Sequence, residues 1–530
     1  MSHLFVVAQR DEFIRGQLLD AKTLEPIVFA SIRIKDRALG VISNLDGSFR
    51  IPMKYQEYGD IIEISSMGYR TKELLIHDFS RFVTNTVRLQ PAVFELSEAT
   101  VSAKRKRKRM KPREIVQKAI DALLENYPTE PYVQVGYYRD YQLDNDEYVN
   151  LNEAIMAVHD QGFDAIDSAT TRAAIYDYKA NLDFRRDTLA RKPYNYSFKG
   201  DTKIIEKGYL SAYGGNEFTI LSVHNAIRNH RINSYSFVHR FDTDLLKEHS
   251  FSRDDDSSIG EESLYTIKFI RKLPVHTAYG RLYISKSDYS IFKMDYAVYD
   301  ETKNNKSGVP DKNGTYKQPV FEVTTSYRRY KDKMYLNYIS FNNVFKIWEP
   351  PKLTLDRVDI RFDNAIHPRL SLTLKKRWIV LTFSEFLNAD TAKNTNQFNV
   401  HFKGKKIALE GLLVADNQVV LYPKVNTNRQ IEILDELEFI AKNEGINEEI
   451  LKVKTKGLKD LNGNAIGRWT TKDYHQFREF FVQEVKADDR VPEQRLFMNN
   501  RKPIFDEQPI VKPDNFGDYW MNTPLKTINN

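Results

Sequence analysis

The start of the chain alternates short apolar segments with turn residues, and this pattern predicts antiparallel β structure over roughly the first ninety residues. From Val28 to Ile34 every second residue is apolar, so one face of a strand is apolar and the other is more polar. Asp46-Gly47 supplies the positive backbone dihedral of a tight turn before the next strand. Up to Leu89 such segments predict a β-sandwich of about seven strands.

Several spaced motifs in this region, Arg15–Asp20, Pro26–Ala30, Asn44–Phe49 and Ser66–Tyr69, resemble the carboxypeptidase-regulatory-like domain. The resemblance covers about residues 13–90. It implies a non-catalytic β-sandwich, a module found at the front of bacterial TonB-dependent outer-membrane transporters and of many other exported proteins. The family name does not imply peptidase activity.

The composition indicates a folded protein with several domains. A chain of 530 residues with 41% hydrophobic residues is long enough for about three or four domains with substantial cores. Its 30 tyrosines and 31 phenylalanines suit strands; a tyrosine-lined sugar site is the alternative, but four scattered tryptophans form no platform. The absence of cysteine excludes disulfides, thiolate metal sites, cysteine nucleophiles and a lipid-anchored cysteine.

A cationic run separates this first domain from the rest of the chain. Seven of the eight residues in Lys104–Lys111 are lysine or arginine. The formal net charge of the whole chain is also +7, so the charges outside this run sum to zero. No nucleic-acid partner is therefore expected. Like charges at this density repel and extend the chain, which favours a linker; contact with anionic lipid headgroups or lipopolysaccharide phosphates is a further expectation.

The middle of the chain predicts one helix followed by β-hairpins. The helix begins at Pro112, covers residues 113–126 and carries an apolar stripe suited to packing on a sheet. Paired apolar segments around short polar turns then predict a large, curved antiparallel sheet wrapped around the helix. The hairpins are Tyr132–Arg139 with Tyr148–Val158, Tyr279–Ile284 with Ile291–Tyr299, and Phe321–Tyr330 with Met334–Ile347.

The helix and the segments Tyr279–Ile284 and Tyr289–Met294 resemble the half-barrel of periplasmic lipoprotein carriers over about twenty residues. This similarity implies an apolar cavity for an acyl chain. It is an analogy for the middle region alone.

A further module begins near residue 370. The segments Trp378–Glu385, Asn396–Val400, Val419–Pro423 and Gly457–Asn464 resemble the bacterial Ig-like domains of surface and exported proteins, over residues 370–470. A helix-like segment at Ile446–Ile450 departs from that pattern. The proline-bearing tail that follows carries Tyr519 and Trp520, and paired aromatics of this kind predict anchors packed on another domain.

No motif in the sequence assigns a catalytic, cofactor-binding or metal-binding residue. The eleven histidines form no zinc motif, and no nucleophile elbow, phosphate loop or dinucleotide fingerprint is present. Glu153 and the pair His159-Asp160 are candidates for acid/base work, although random adjacency is the favoured interpretation. A carboxylate pair brought together from distant strands would leave no motif in the sequence.

One short segment of the second module suggests calcium. Asp460, Asn462 and Asn464 carry the oxygen ligands that calcium prefers, but the twelve-residue spacing with a terminal glutamate is absent. A tight turn centred on Gly463 is the favoured interpretation.

These patterns predict a mainly β, multidomain protein with an N-terminal β-sandwich, a curved antiparallel β domain with a packed helix, and an Ig-like β-sandwich. The predicted boundaries are 1–12 for a leader, 13–95 for the first sandwich, 96–112 for the basic linker, 113–365 for the helix and antiparallel β domain, 366–472 for the Ig-like domain and 473–530 for a docked tail.

The expected function is that of a non-enzymatic cell-envelope protein of a Gram-negative bacterium. It would bind a partner protein, a glycan or a lipid at the periplasmic side of the outer membrane. Leu4–Ala8 resembles the end of a truncated signal peptide, which favours the periplasm or the outer-membrane periphery. The alternative is a hydrolase acting on glycan or peptide, with its site in the middle β domain.

Overall fold

The computed structural model is mainly β, which confirms the predicted fold class. It describes residues 13–37, 39–92, 110–144, 147–192, 203–204, 210–211, 213–233, 238–304, 314, 316–366, 373–487 and 493–525. The predicted leader segment Leu4–Ala8 and residues 104–109 of the basic run lie outside these described residues. Within the described residues there are two compact units, one running to Ile347 and resuming at Asp473, the other spanning Trp348–Lys472.

The N-terminal part of the first unit is a seven-stranded sandwich, as the sequence predicted. One sheet has the order β4-β1-β7 and the other β3-β2-β5-β6, with an apolar core between them. The elements are β1 Phe13–Asp20, β2 Ser31–Ile34, β3 Gly40–Ile42, β4 Ser48–Pro52, α1 Lys54–Glu57, β5 Ile61–Ser65, β6 Lys72–Leu75 and β7 Asn85–Leu89.

The predicted helix and hairpins of the middle region are present. The helix is divided into α2 Pro112–Asp121 and α3 Leu123–Asn126, and its apolar stripe is buried in the largest core. Further elements are β8 Tyr132–Asp144, β9 Glu147–Asp160, α4 Asp167–Thr170, β10 Arg172–Ala180, β11 Lys203–Ile204, α5 Glu217–Val223, α6 Asp244–Glu248, β12 Ser250–Arg253, β13 Ser257–Ile259, β14 Glu262–Lys272, β15 His276–Ser285, β16 Ile291–Asn304, β17 Lys317–Tyr330 and β18 Lys333–Glu349.

The second unit contains two sheets, with orders β19-β20-β24-β23 and β22-β21-β25, around a core that also takes one face of a helix. Its elements are β19 Leu355–Ile366, β20 Thr373–Phe383, β21 Phe398–Phe402, β22 Lys405–Ile407, β23 Leu409–Ala415, β24 Gln418–Pro423, α7 Asn428–Asn443 and β25 Leu451–Thr455. The chain then returns to the first unit through β26, Thr470–Ala487.

A twelve-stranded sheet organises the first unit. Its main path is β10-β9-β8-β26-β18-β17-β16-β15-β14-β12. The last of the described strands, β26, therefore lies between two strands from far earlier in the chain. Alternate residues of a strand point to opposite faces. On one face, here called the inner face, Tyr138 and Phe480 join the core that holds the helices; on the other, the outer face, Tyr137 and Phe481 join separate clusters.

The N-terminal sandwich and the end of the C-terminal tail, which carries Tyr519 and Trp520, both pack on the outer face. Arg33 Nη2 donates to Val482 O at 2.9 Å, and its guanidinium lies 4.9 Å from the centre of the Phe481 ring. Trp520 is buried in the core of the sandwich, where its Nε1 donates to Arg50 O at 2.9 Å. These contacts confirm the prediction that the tail aromatics act as packed anchors.

Two local predictions were wrong. The strand predicted from Val28 begins only at Ser31, because Phe29 adopts a left-handed backbone with φ 59° that ends an extended conformation. The helix-like segment at Ile446–Ile450 contains no helix, and the second unit's helix instead begins after Thr427, whose side chain accepts a hydrogen bond from Gln430 N.

Candidate functional site

A polar cavity of about 300 Å³ opens on the inner face of the large sheet. Its floor is made by β8 and β9, and its walls come from β11, the start of α5 and two loops. Exposed Thr188 and Arg191 place one end of the cavity at the protein surface. The lining residues are Asp140, Gln142, Asn150, Asn152, Thr188, Arg191, Lys192, Lys203, Gly215, Glu217, Pro503 and Phe505.

Strand alternation brings the polar residues of the floor together. Asp140 lies directly opposite Asn152 in the antiparallel pairing of β8 and β9, so both side chains emerge on the inner face. The pairing shifts by one residue between Asp140 and Gln142. A bulge of this kind re-aims side chains next to functional sites.

Asp140 is the carboxylate at the centre of the floor. It is 5% exposed, and each of its oxygens accepts one hydrogen bond. Asn152 Nδ2 donates to Oδ1 at 2.9 Å, and Tyr138 OH donates to Oδ2 at 3.0 Å. Asn152 is itself fixed, because Arg186 Nη2 donates to its Oδ1 at 3.0 Å. These bonds hold the carboxylate in one orientation.

A chain of amides continues the floor. Asn150 Nδ2 donates to Gln142 Oε1 at 2.8 Å, and Gln142 Nε2 donates to Gln476 Oε1 at 2.6 Å. Gln476 Nε2 then donates to Tyr141 O at 3.1 Å. Each amide is therefore held by its neighbours, which gives a preorganised polar surface.

A buried ion pair forms one wall. Arg478, which is fully buried on β26, donates from Nε to Glu217 Oε2 at 2.5 Å and from Nη1 to Asn343 Oδ1 at 2.8 Å. Lys203 lies nearby with its Nζ 3.5 Å from Gln476 Oε1 and 4.8 Å from the centre of the Phe345 ring.

Burial favours the uncharged form of two groups in the cavity. Desolvation, reinforced by the Glu217 charge, raises the pKa of Asp140 to about 7. Desolvation also lowers the pKa of Lys203 to about 8, although the Glu217 charge acts in the opposite direction. Two groups with pKa values near neutrality in one cavity are typical of a functional site.

A second, smaller cavity of about 70 Å³ lies farther along β8 on the same face. It is lined mainly by aromatic and aliphatic side chains, Tyr132, Phe163, Phe218, Tyr327 and Phe480 among them. Two of its charged groups pair with each other, because Arg228 donates to both oxygens of Asp160 at 2.8 Å. We do not place the functional site there.

The three residues suggested for acid/base work do not form a site. Glu153 and His159 lie on the outer face, whereas Asp160 lies on the inner face in the ion pair with Arg228. Glu153 accepts hydrogen bonds from Tyr137 OH at 2.7 Å and from Asn181 Nδ2 at 2.9 Å. The three side chains therefore do not share one cleft in the structure, and chance adjacency stays the favoured interpretation.

The suggested calcium ligands form a turn. Asp460 Oδ1 accepts from Asn464 N at 2.8 Å, Oδ2 accepts from Asn464 Nδ2 at 2.7 Å, and Gly463 has φ 86°. This is the predicted Gly463 turn. Over the described residues, no three histidine, aspartate or glutamate side chains come close enough to hold a metal ion.

Sequence reasoning missed Asp140, Lys203 and Glu217. They come from three separated segments, and no motif joins them. The available signal was the density of polar residues within the long apolar strand Tyr132–Asp144, which suggests polar groups that face a protein interior rather than solvent.

Comparison with known proteins assigns only the first domain. Residues 14–101 match the family model of the CarboxypepD_reg-like domain. The N-terminal sandwich is a CarboxypepD_reg-like domain. No curated protein and no solved structure matches the chain, so the Ig-like and half-barrel resemblances stay predictions.

None of the described helices is long and apolar enough to cross a membrane.

Proposed function

We propose that this protein is a non-enzymatic binding protein of the cell envelope and that it takes a small polar ligand in the polar cavity. The observation that carries this proposal is the cavity itself, about 300 Å³ lined by buried carboxylate, amide and ammonium groups. That volume lies at the lower end of the roughly 300–1,000 Å³ typical of small-molecule sites.

The hydrogen-bond network supports binding. Asp140, Asn152 and Gln142 are already oriented by protein partners, so a ligand meets fixed groups and little side-chain ordering opposes its binding. Burying a polar side chain costs free energy unless the side chain is hydrogen-bonded. A sheet face that is covered by protein is therefore normally lined by apolar side chains. A binding role explains the presence of polar side chains here.

The proposed location is the periplasm or the periphery of the outer membrane. The CarboxypepD_reg-like domain supports it, because this module recurs in exported proteins. Cell fractionation of the full reading frame, followed by a high-salt wash of the membranes, tests it. Release by salt would indicate attachment through Lys104–Lys111, because exposed charges are screened within about 10 Å at 0.1 M salt. A purely cytoplasmic protein would contradict the location.

The alternative is a glycan- or peptide-acting hydrolase, and one observation favours it. Asp140 and Glu217 line the same cavity, and Asp140 has a pKa of about 7, a value suited to a general acid or base at neutral pH. Turnover of chromogenic glycosides or peptides by the protein, lost in both Asp140→Asn and Glu217→Gln, would replace the binding proposal with this one.

The binding proposal is tested by thermal-shift measurements on the full chain. The probes are monosaccharides, amino acids, nucleosides and inorganic phosphate. A ligand at about one hundred times its Kd stabilises the folded state by about 2.7 kcal/mol, which raises Tm measurably. We expect at least one probe to raise the Tm of the protein and to leave the Tm of Thr188→Trp unchanged, because indole at the exposed end of the cavity blocks entry.

Thr84→Trp is the matched control, since Thr84 is an exposed threonine in a loop of the N-terminal sandwich. It should respond to the probes like the unmodified protein. The proposal is overturned if no probe raises Tm, or if every probe that does so acts equally on Thr188→Trp.

A further inference from the structure

We infer that the ligand of the polar cavity is a neutral sugar with the size of about one pyranose ring. This inference rests on the proposed binding function and adds the chemical class of the ligand. It is carried by the hydrogen-bonding capacity that the cavity groups retain, by the mixture of charges around them and by an aromatic ring in the wall.

The floor of the cavity retains both donors and acceptors. An ionised carboxylate has about four lone-pair sites, and Asp140 uses one on each oxygen. Asn152 and Gln142 each donate one hydrogen bond from an amide nitrogen that carries two protons. A ligand therefore meets acceptors next to donors across the same surface.

The wall adds a further acceptor. Glu217 Oε2 accepts from Arg478, whereas Oε1 accepts no hydrogen bond from any described residue. A hydroxyl group is both a donor and an acceptor, so adjacent hydroxyls match this alternation of groups. A ligand with only acceptors would leave the carboxylates unmatched.

The charges around the cavity disfavour an ionic ligand. An anion would face the carboxyl groups of Asp140 and Glu217. A cation would face three basic side chains of the lining: Lys203, which is 2% exposed, Arg191 and Lys192. Electrostatic repulsion between like charges is strong where water is excluded. A neutral, hydroxyl-rich molecule avoids both repulsions.

An aromatic ring completes the site. Phe505 lines the cavity from the C-terminal tail and is half-buried, and the Arg191 guanidinium lies 4.1 Å from the centre of its ring. The face of an aromatic ring carries partial negative charge. The Arg191 guanidinium covers one face of the ring, so a pyranose would pack its C–H groups, which carry partial positive charge, on the other face.

Isothermal titration calorimetry on the full chain tests the inference. The probes are glucose, galactose, mannose and N-acetylglucosamine, with glucuronate, glycine and inorganic phosphate as charged comparators. We expect at least one neutral sugar to bind and no charged comparator to bind more tightly. Asp140→Asn should weaken that binding about tenfold or more, because a hydrogen bond to a charged acceptor is lost.

Phe505→Ala is the second variant, and it does not disturb a buried charge. It should weaken sugar binding about three- to tenfold. The matched control is Phe516→Ala: Phe516 is also a half-buried tail phenylalanine with a cation on its ring, Lys512 Nζ at 4.0 Å, but it lies outside the cavity. This control should bind sugar like the unmodified protein.

The outcomes separate the two proposals. Binding of a charged comparator alone, weakened by Asp140→Asn, overturns the sugar inference and leaves the binding function intact. Sugar binding that both Asp140→Asn and Phe505→Ala leave unchanged overturns the assignment of sugar to this cavity. Absence of binding by all four neutral sugars overturns the inference, and the Thr188→Trp thermal-shift comparison then decides the binding function by itself.

Discussion

The guanidinium of Arg139 donates a hydrogen bond to the carboxylate of Glu479 on the adjacent strand, and the two side chains are 1% and 3% exposed. Arg139 also donates to Asn44 Oδ1 in the N-terminal sandwich, and Tyr338 OH donates to the second Glu479 oxygen at 3.0 Å. One buried ion pair thus joins two strands of the large sheet to the CarboxypepD_reg-like domain.

Removing one partner of this pair should destabilise the protein strongly. We expect Glu479→Gln to lower the free energy of unfolding by about 3–5 kcal/mol, because it leaves the Arg139 charge buried without a counter-ion. Urea denaturation measures the change. The control is Asp390→Asn, which breaks an ion pair with Lys393. The two side chains are 81% and 68% exposed, so solvent screens this pair and its loss should have a much smaller effect. Equal effects of the two substitutions would contradict the prediction.

The tail anchor gives a second prediction. Trp520 is 5% exposed in the core of the N-terminal sandwich, so Trp520→Ala should cost about 3–5 kcal/mol and loosen the tail from the outer face. Limited proteolysis should then cut the tail faster, with a lower Tm. Trp469→Ala, at a tryptophan that is 45% exposed, serves as the control. Unchanged proteolysis of the tail in Trp520→Ala would refute its role as an anchor.

The hairpins of the large sheet were predictable because their signals are local. Met334–Ile347, for example, follows a short polar turn after Phe321–Tyr330, and the two segments pair as antiparallel strands. The helix α7 also had a local signal that was missed, since Thr427 precedes buried residues at helical spacing. These are Ile433, Leu434, Leu437 and Ile440.

The polar cavity was not predictable in the same way. Alternating polar and apolar residues normally indicate a strand with one solvated face, but both faces of β8 are covered by protein. Arg139 therefore packs under the N-terminal sandwich, while Asp140, the next residue, faces the cavity. The surroundings of both residues depend on residues more than three hundred positions away in the sequence, such as Glu479 and Arg478. No local sequence pattern shows which distant residues will lie beside them.

Close packing of glycine against an aromatic ring gives a third prediction. Gly280 lies directly opposite Phe269 in the sheet, and a Cβ atom at Gly280 would lie 2.1 Å from the Phe269 ring. Gly280→Ala should therefore cost about 1–3 kcal/mol through overpacking. The control is Gly517→Ala, where a Cβ atom meets no atom within 4 Å and φ is not positive. Thermal unfolding of both variants measures the difference, and an equal Tm would count against the close packing.

The raised pKa of Asp140 gives a prediction about pH. Its pKa rises from an ordinary value of 3.8 to about 7 through burial, reinforced by the Glu217 charge, so between these values the folded state binds more protons than the unfolded state. The free energy of unfolding contributed by Asp140 therefore falls as pH rises from about 4 to 7 and is constant above that range. Asp140→Asn has no such group and should not show this loss.

The stability of Asp140→Asn relative to the unmodified protein should thus increase between pH 4 and pH 8. The expected gain is about 2–4 kcal/mol, because one pKa unit corresponds to about 1.4 kcal/mol. Urea denaturation at a series of pH values measures this gain. Replacing the carboxylate by an amide also has a constant free-energy cost, but that cost cancels when only the change with pH is compared. Asp183→Asn, at an exposed aspartate that does not line the cavity, should show no comparable change in its relative stability. A relative stability of Asp140→Asn that is the same at pH 4 and pH 8 would mean that Asp140 titrates at an ordinary pKa, and the cavity would then hold a permanent negative charge at neutral pH.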